Sequence, residues 1–384
     1  MKILVLNYEY PPLGGGAGVI TREISERLAQ SGHRVTVLTT WFDGTPEVDV
    51  QGNLTIIRLK SRRKYTYRCS VSEMVSWIMY SKRFLKGYCK KNSFDVCLAN
   101  FSLPGGEVAL YISKRFFIPY LVLSHGHDIP WMFVKEMFVY HLITFFRIKT
   151  ICSRSAYNIL LTAAMKKNAD RFLGAIRAEK NIIIPNACDF DFFKPNTTQR
   201  TPYFKMLFAG RLVSQKDPFT FLKALKLLAK EKIPFKACIV GDGPMRKKME
   251  LFVKKNSLGN HIVFTGWLSK DGILEEYGSA SIYVQTSRYE AMSLSPLEAL
   301  ACGTYVVCTP VGGNKDIIFD NVNGEFFSVG NAEELAEKLI CFYNEKFKNG
   351  FVVNNSLIDK VRSSYSWDII ISKYIEIVKQ TACQ

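Results

Sequence analysis

The sequence predicts an α/β protein of two domains with parallel sheets, on three observations. The chain opens with a short apolar strand, a glycine-rich loop, a helical stretch and a second strand, so residues 2–40 read as a β-α-β unit. After a polar, proline-bearing break at roughly 193–203, the same alternation of apolar runs and amphipathic stretches begins again. Near the carboxyl end, SIYVQTS and TYVVCTP bracket a loop and a helix start. That loop then lies at the carboxyl end of a parallel strand, where such sheets bind ligands. The expected domains are 1–192 and 193–366, followed by an amphipathic tail at 367–384.

Size and composition set the outer limits. The 384 residues, 48% of them hydrophobic, have ample capacity for two or even three buried cores. Ten cysteines are scattered without a C-x-x-C pair, several in apolar strands such as Cys97, Cys238 and Cys308. That is the usage of reduced, mostly buried thiols in a cytosolic chain, with neither a disulfide framework nor a zinc site indicated. The first residues, MKILVLNYEYPP, have too short an apolar run for a signal peptide. No window approaches the roughly 20 apolar residues that span a bilayer. The most lipid-like piece, WMFVKEMFVYHLITFFRIK, is interrupted by Lys135, Glu136 and His141 and is expected to be a buried or interfacial helix. Net charge is +17, and residues 60–91 hold ten basic residues against one acidic. Nucleic acid, an anionic membrane surface or an acidic acceptor would each suit such an excess. No zinc-finger or other nucleic-acid motif is present, which leaves nucleic acid the weakest of the three. The expected location is the cytoplasm, with peripheral attachment to the inner face of the membrane.

In the first half, residues 2–8 form the opening strand and EYPPLGGGAG the loop. VITREISERLAQSG then puts Ile20, Ile24 and Leu28 on one helical face, Gly32 ends the helix, and HRVTVLTT is the next strand. Loop amides next to a helix N-terminus suit a phosphate, and a merely structural tight turn is the alternative. The dinucleotide fingerprint G-x-G-x-x-G is incomplete, because Thr21 stands where its third glycine would be. Residues 72–91 read as a helix with Met74, Trp77, Ile78, Leu85 and Tyr88 on one face and Lys82, Arg83, Lys86 and Lys90 largely elsewhere. Its basic side is either a solvated face or a membrane contact. Strand FDVCLAN, loop FSLPGGE and strand IPYLVLS follow, the last delivering His125-Gly126-His127-Asp128. Two histidines at that spacing make no metal site without further ligands.

In the second half, strand YFKMLFAG leads into RLVSQKDP, with Arg211 and Lys216 as two nearby cations. A guanidinium fork and a point charge together suit a departing diphosphate, although solvated loop charges look the same. Strand FKACIVGDGP, a helix at MRKKMELFVKKNSLG and strand HIVFTGWLS come next. The stretch SRYEAMSLSPLEALACGTYVV, residues 287–307, carries Glu290 and Glu298. Ser295 reads as the N-cap, Pro296 as N1 and Glu298 as N3, so Glu298 either closes a capping box or faces a ligand. A helix start that holds an anion, with a carboxylate on each flank to grip hydroxyls, fits a nucleotide-sugar. Asn331 and Glu334 start a further helix, AEELAEKLICFYNEK, in a capping-box-like way.

These motifs resemble those of the family-4 retaining glycosyltransferases over nearly the whole chain, least between about 42 and 92. EAMSLSPLEALACGTYVV is similar to the family's EGFGxPxxEAMACGxPVV, with Ala291 in place of a glycine. Gly15-Gly16, the HG-x-D at His125, the GRL-x-x-x-K from Gly210 to Lys216, VGDGP, and the F-x-G ending at Gly266 match further segments. TICSRS resembles the family's strand that ends in serine. NIIIPNACDFDFFKP keeps the family frame through Asn186, Asp189, Phe193 and Pro195, with Ala187 replacing a glycine, and Asp316 stands where the family has glutamate. The resemblance implies a GT-B fold: two Rossmann-like domains facing across a cleft, with the helix at 367–384 crossing back to the first. It also implies that Glu298 holds a ribose, Glu290 the transferred sugar, and Arg211 with Lys216 the diphosphate. Gly210, Gly266, Ser293 and Leu294 would adjoin the donor, while His125 and the Gly15-Gly16 loop would close on it from the first domain. The donor would be a UDP- or GDP-linked sugar, used as substrate with no cofactor and no metal. The acceptor would be a saccharide or lipid-linked saccharide of a cell-surface glycan. Asp189-Phe190-Asp191 is a rival signal, since Asp-x-Asp holds a cation in glycosyltransferases of the other major fold. A NAD-type oxidoreductase or epimerase, and a nucleotide-sugar-binding protein without activity, are the alternative functions.

Overall fold

The computed structural model describes residues 1–66, 68–130, 134–195, 201–350 and 355–383, apart from the side chains of 134–136 and 175. Two compact units divide the chain, Met1–Asn186 with Asp368–Gln384, and Ala187–Trp367. The first boundary precedes the 192/193 expected from sequence. Its physical reason lies in the aromatic run that follows: Phe193 packs edge-on against Tyr277 at 6.0 Å, and the Lys270 ammonium sits 4.1 Å from the Phe192 ring centre. The segment is thereby part of the second core. Of the break expected at 193–203, residues 196–200 lie outside the described residues.

The first unit runs β1 (Lys2–Leu6), α1 (Gly16–Gln30), β2 (Arg34–Thr40), β3 (Val48–Gln51), β4 (Leu54–Leu59), α2 (Val71–Lys91), β5 (Val96–Asn100), α3 (Gly106–Phe116), β6 (Tyr120–Leu123), α4 (Val134–Arg154), β7 (Tyr157–Leu160), α5 (Ala163–Leu173) and β8 (Asn181–Ile183). Its sheet has the order β3-β4-β2-β1-β5-β6-β7-β8, and every pairing is parallel except β3 with β4. Ile3 to Leu6 are fully buried, as a central strand covered on both faces requires. Helix α1 buries Ile20, Ile24 and Leu28 on the predicted face, each such side chain stabilising by about 1.5–3 kcal/mol. The capping box Ser70/Glu73 starts α2, which buries Trp77 and Leu85 with Met74, Ile78 and Tyr88 packed beside them.

Two expectations change here. The opening strand stops at Leu6, and Asn7 turns its side chain inward instead of extending the strand to residue 8. TICSRS is not a strand: it is the last turns of α4, and the strand that follows is β7. Ile148, Ile151 and Cys152 are all buried at helical spacing, and that period prevails over the local β-branched residues. Within the lipid-like segment, residues 131–133 and the side chains of Lys135 and Glu136 lie outside the description. His141 is buried and donates through Nε2 to the His127 carbonyl at 2.9 Å. Among the described residues no helix is long and apolar enough to cross a membrane.

The second unit runs β9 (Lys205–Ala209), α6 (Pro218–Lys230), β10 (Lys236–Val240), α7 (Arg246–Lys255), β11 (Ile262–Gly266), α8 (Lys270–Ser279), β12 (Ile282–Gln285), α9 (Ser295–Ala301), β13 (Tyr305–Cys308), α10 (Asn314–Ile317), β14 (Gly324–Phe326), α11 (Ala332–Cys341) and α12 (Asn355–Tyr365). Six parallel strands pair in the order β11-β10-β9-β12-β13-β14 around a core that includes Phe204, Phe208, Phe221 and Tyr305. Asn331 caps α11 by accepting from the Glu334 amide, as its sequence predicts. Helix α13 (Trp367–Ala382) closes the chain, and from Asp368 onward it belongs to the first unit.

Both sheets reverse direction beside their first strand, between β1 and β5 and between β9 and β12. Those switch points open crevices at the carboxyl ends of the strands, where ligands bind in doubly wound folds. The glycine loop follows β1, Gly210 follows β9 and the Glu290 loop follows β12, all at strands that flank a switch point.

Candidate functional site

In the first unit the edge is built on a chain of neutral polar side chains, with the buried Asp128 carboxylate beneath it accepting from the His125 amide at 3.2 Å and from Ser124 Oγ at 2.7 Å. Asn7 follows β1, Asn100 ends β5 and His125 follows β6. Asn7 Nδ2 donates to Thr21 Oγ1 at 2.7 Å. The Thr21 hydroxyl in turn shares its proton between Ala17 O at 2.8 Å and Asn100 Oδ1 at 2.9 Å. His125 Nε2–H donates to the same Asn100 oxygen at 3.0 Å, and its ring packs on Phe101 at 4.7 Å. Burial pushes the His125 pKa down to about 4, against the opposing pull of Asp128, so the ring is neutral at physiological pH. Sequence reading found His125 but missed Asn7, Asn100 and the role of Thr21. The available signal was an asparagine at the carboxyl end of two neighbouring apolar strands. Gly15 and Gly16 sit at the start of α1, and a Cβ at either would meet nothing within 4 Å. No protein neighbour therefore requires glycine there, whereas close approach of a ligand to the backbone would.

In the second unit the edge carries charge. Lys216 Nζ pairs with Glu290 Oε1 at 2.5 Å, and Ser287 Oγ donates to the same oxygen at 2.9 Å. The loops that hold this pair are laced together: Thr286 Oγ1 bonds Lys216 O at 2.8 Å, Arg288 N bonds Gln215 O at 2.8 Å, and Gln215 Nε2 bonds Tyr289 O at 3.2 Å. Arg211 is exposed beside Gly210. Gly312, with φ +55°, packs so tightly on the Glu290–Ala291 backbone that a Cβ would lie 2.6 Å from either carbonyl oxygen. Asn314 holds the same turn by donating to Gln285 Oε1 at 2.6 Å and Thr309 O at 2.9 Å. Gly266, at φ +74°, accepts from the Gly241 amide at 2.7 Å.

The capping expectation for Glu298 is corrected. Leu294, not Ser295, is the N-cap of α9; Pro296 falls one place further into the helix, and no side chain caps the start. With Leu294 as N-cap, Glu298 falls at N4, past the N3 place of a capping box, and its amide makes the first intrahelical bond to Leu294 O at 2.9 Å. Instead Tyr277 Oη donates to Glu298 Oε2 at 3.0 Å, and burial holds the carboxyl above its ordinary pKa. Ser293 is buried in the same loop. Asp189 and Asp191 take different partners, Lys270 at 3.1 Å and Arg362 at 2.6 Å. Among the described residues no group of three His, Cys, Asp or Glu could hold a metal ion. Asp316 is exposed in α10, and its backbone carbonyl accepts from Tyr365 Oη at 3.5 Å.

A doubly wound pair of sheets with carboxylates and cations at one switch point and a neutral histidine at the other is the layout of a ligand-binding α/β enzyme. Two family models match almost end to end, Glycosyltransferase Family 4 over residues 14–192 and Glycosyl transferases group 1 over residues 189–355. The chain belongs to the family-4 glycosyltransferases of the GT-B type, which move a sugar from a nucleotide-sugar to a saccharide acceptor. An uncharacterized glycosyltransferase of Methanocaldococcus jannaschii is 25% identical, over 99% of this chain and 98% of that one. Sucrose-phosphate synthase from Thermosynechococcus elongatus has a similar structure, with a TM-score of 0.87 at 20% identity over 99% of this chain and 98% of that one. HepE of Anabaena, solved with UDP and glucose, has a TM-score of 0.79 at 18% identity over 99% of both chains.

Proposed function

We propose that this glycosyltransferase retains the anomeric configuration of its donor and neutralises the leaving diphosphate with side-chain cations instead of a metal ion. The Lys216–Glu290 pair carries this reading. Glu290 Oε1 takes both Lys216 and Ser287, which leaves Oε2 for a hydroxyl of the transferred sugar. Lys216, held by that carboxylate, and the exposed Arg211 act on the diphosphate oxygens as negative charge develops there. Glu298, with Tyr277 on one oxygen, offers the other to ribose hydroxyls. The bond from the sugar C1 to the diphosphate oxygen breaks while the acceptor oxygen bonds C1 on the same face. The acceptor proton passes to the departing phosphate. HepE was solved with UDP and glucose, and a UDP-linked hexose is accordingly the first donor to try, with a GDP-linked one second. The acceptor is a saccharide, acidic or carried on a membrane lipid, which gives the basic excess of residues 60–91 a use and makes the enzyme peripheral at the membrane.

The deciding experiment is transfer after stripping by chelator, with the product anomer read by NMR. Activity retained in excess EDTA and lost in Arg211→Ala or Lys216→Ala supports the reading. Activity that EDTA abolishes, that manganese or magnesium restores, and that Asp189→Asn or Asp191→Asn equally abolishes would overturn it.

A further inference from the structure

We propose that the amino-terminal halves of α2 and α4, with the basic loop that precedes α2, form a platform that seats on an anionic lipid bilayer. The inference rests on the reading of a membrane-borne acceptor and says which surface meets the membrane.

Helix α4 presents Phe138, Val139, Leu142, Ile143 and Phe146 to solvent, each between 59% and 81% exposed. These positions recur at i, i+4 and i+8, opposite the buried His141, Ile148, Ile151 and Cys152. A helix on a sheet normally shows water a polar face, and this one shows it an apolar stripe. Helix α2 repeats the feature with Val71, Val75, Met79 and Tyr80, 48% to 67% exposed.

The two stripes belong to one surface. Glu107, in the first turn of α3, binds Lys82 of α2 at 2.6 Å and Arg147 of α4 at 2.5 Å. Met79 lies one turn before Lys82, and Ile143 one turn before Arg147, so both stripes run up to the same bridge. Residues 71–81 and 134–146 are the parts of the two helices ahead of that bridge, about 16–20 Å long at 1.5 Å per residue. Helices that follow parallel strands begin at the carboxyl edge of the sheet, and these halves therefore lie toward the edge that carries His125 and the glycine loop.

Charge complementarity identifies the occupant. The loop ahead of α2 exposes Arg62, Lys64 and Arg68, and α2 adds exposed Arg83 and Lys86. Apolar side chains flanked by basic ones are the composition of an interfacial helix on anionic lipid, where long cationic stems keep their heads at the phosphate level. The loop is also tied to the glycine loop, since the Gly14 amide donates to Thr66 O at 2.8 Å and Arg63 reaches Thr66 O at 3.3 Å. A lipid-linked acceptor lifted from such a surface would emerge beside the glycine loop.

The test is co-sedimentation of the full chain at low salt with vesicles of phosphatidylcholine alone or mixed with phosphatidylglycerol, neither containing an acceptor. The mixed vesicles are expected to bind at least tenfold more tightly. Ile143→Asp with Phe146→Asp should lower that binding at least tenfold with thermal unfolding unchanged, and Leu142→Ser should lower it less. Arg62→Glu with Lys64→Glu should remove the preference for the anionic vesicles. Wild-type protein that binds neither vesicle would overturn the platform, as would a double variant that binds like wild type. So would a wild-type dimer that Ile143→Asp with Phe146→Asp converts to monomer, because the stripe would then be an interface between copies. Failure of the acceptor reading looks different: turnover of a water-soluble saccharide without lipid, alongside intact vesicle binding, removes that reading and leaves the platform supported.

Discussion

The two units share a strand order around their switch points and differ in what they place there. In the first, four neutral side chains, Asn7, Thr21, Asn100 and His125, form one hydrogen-bonded chain. In the second, Lys216–Glu290 and Arg288–Asp217 are ion pairs, and Glu298 is a half-buried carboxyl held by a tyrosine. The same topology thus supports a crevice lined by a chain of neutral side chains over one buried carboxylate, Asp128, and a crevice where cations and carboxylates are paired. The proposed role of Lys216 and Arg211 would account for the charged crevice, because negative charge develops on a leaving diphosphate and fixed cations act most strongly where they are already oriented.

The largest effect should come from breaking the charged side. On the proposed reading, Lys216→Ala removes the cation assigned to the leaving group and leaves Glu290 buried without its partner, so kcat should fall by roughly 10²–10³. Retention of more than half the wild-type kcat, in steady-state assays of a folded variant, would dismiss Lys216 from the chemistry. Next come the two glutamates, each expected to contribute a charged hydrogen bond of about 1.5–3 kcal/mol, or tenfold to 150-fold. Glu298→Ala should weaken binding of free nucleotide by that factor in calorimetry. Glu290→Ala should leave nucleotide affinity near wild type and lower turnover. Identical effects of the two variants on nucleotide affinity would contradict the division of roles.

On the neutral side, Asn100→Asp sharpens the comparison because it places a carboxylate 3.0 Å from His125 Nε2 without changing shape. The anion favours the protonated ring and should raise the His125 pKa, moving the acidic limb of the activity profile to higher pH. A purely structural role for Asn100 would lower activity equally at every pH. Thr21→Val keeps the volume but strands Asn7 Nδ2 and removes a donor from Asn100, which should cost about 1–3 kcal/mol in chemical denaturation.

Much of this was legible in the sequence. Apolar runs bounded by glycine and proline located the central strands, and the period of Ile20, Ile24 and Leu28 gave the buried face of α1. Glu290 and Lys216 could be named from motifs, yet their pairing could not, because 74 residues separate positions that only the β9–β12 adjacency brings together. The capping reading of Glu298 failed for a local reason: the backbone enters the helix one residue early, and a buried tyrosine offers the carboxylate a better partner than the helix end. TICSRS, likened to a family strand, failed because a short apolar stretch cannot tell a buried helix end from a strand. The exposed stripe on α4 was invisible for a related reason, since apolar composition alone does not say which side of a helix is covered.

The smallest effect at working pH, and the one most specific to the neutral crevice, is the acid sensitivity of His125. Its folded pKa lies near 4, below the ordinary 6.5, chiefly because burial disfavours the charged ring. The unfolded chain therefore binds the proton first as pH falls. Stability from this residue is complete above about pH 6.5 and is lost as pH drops toward 4, by about 2 kcal/mol between pH 7 and pH 5. His33 and His141 are also held below their ordinary range by burial, so the whole protein should lose more than that. The measurement is consequently a difference: urea unfolding of wild type and His125→Gln at pH 7 and pH 5. Glutamine can still donate to Asn100 but does not titrate, so wild type should lose about 2 kcal/mol more than the variant over this interval. Equal losses in the two proteins would mean that His125 titrates in its ordinary range when folded. The chain of Asn7, Thr21, Asn100 and His125 would then carry a cation of its own, and the contrast between the two units would fail where it is most easily measured.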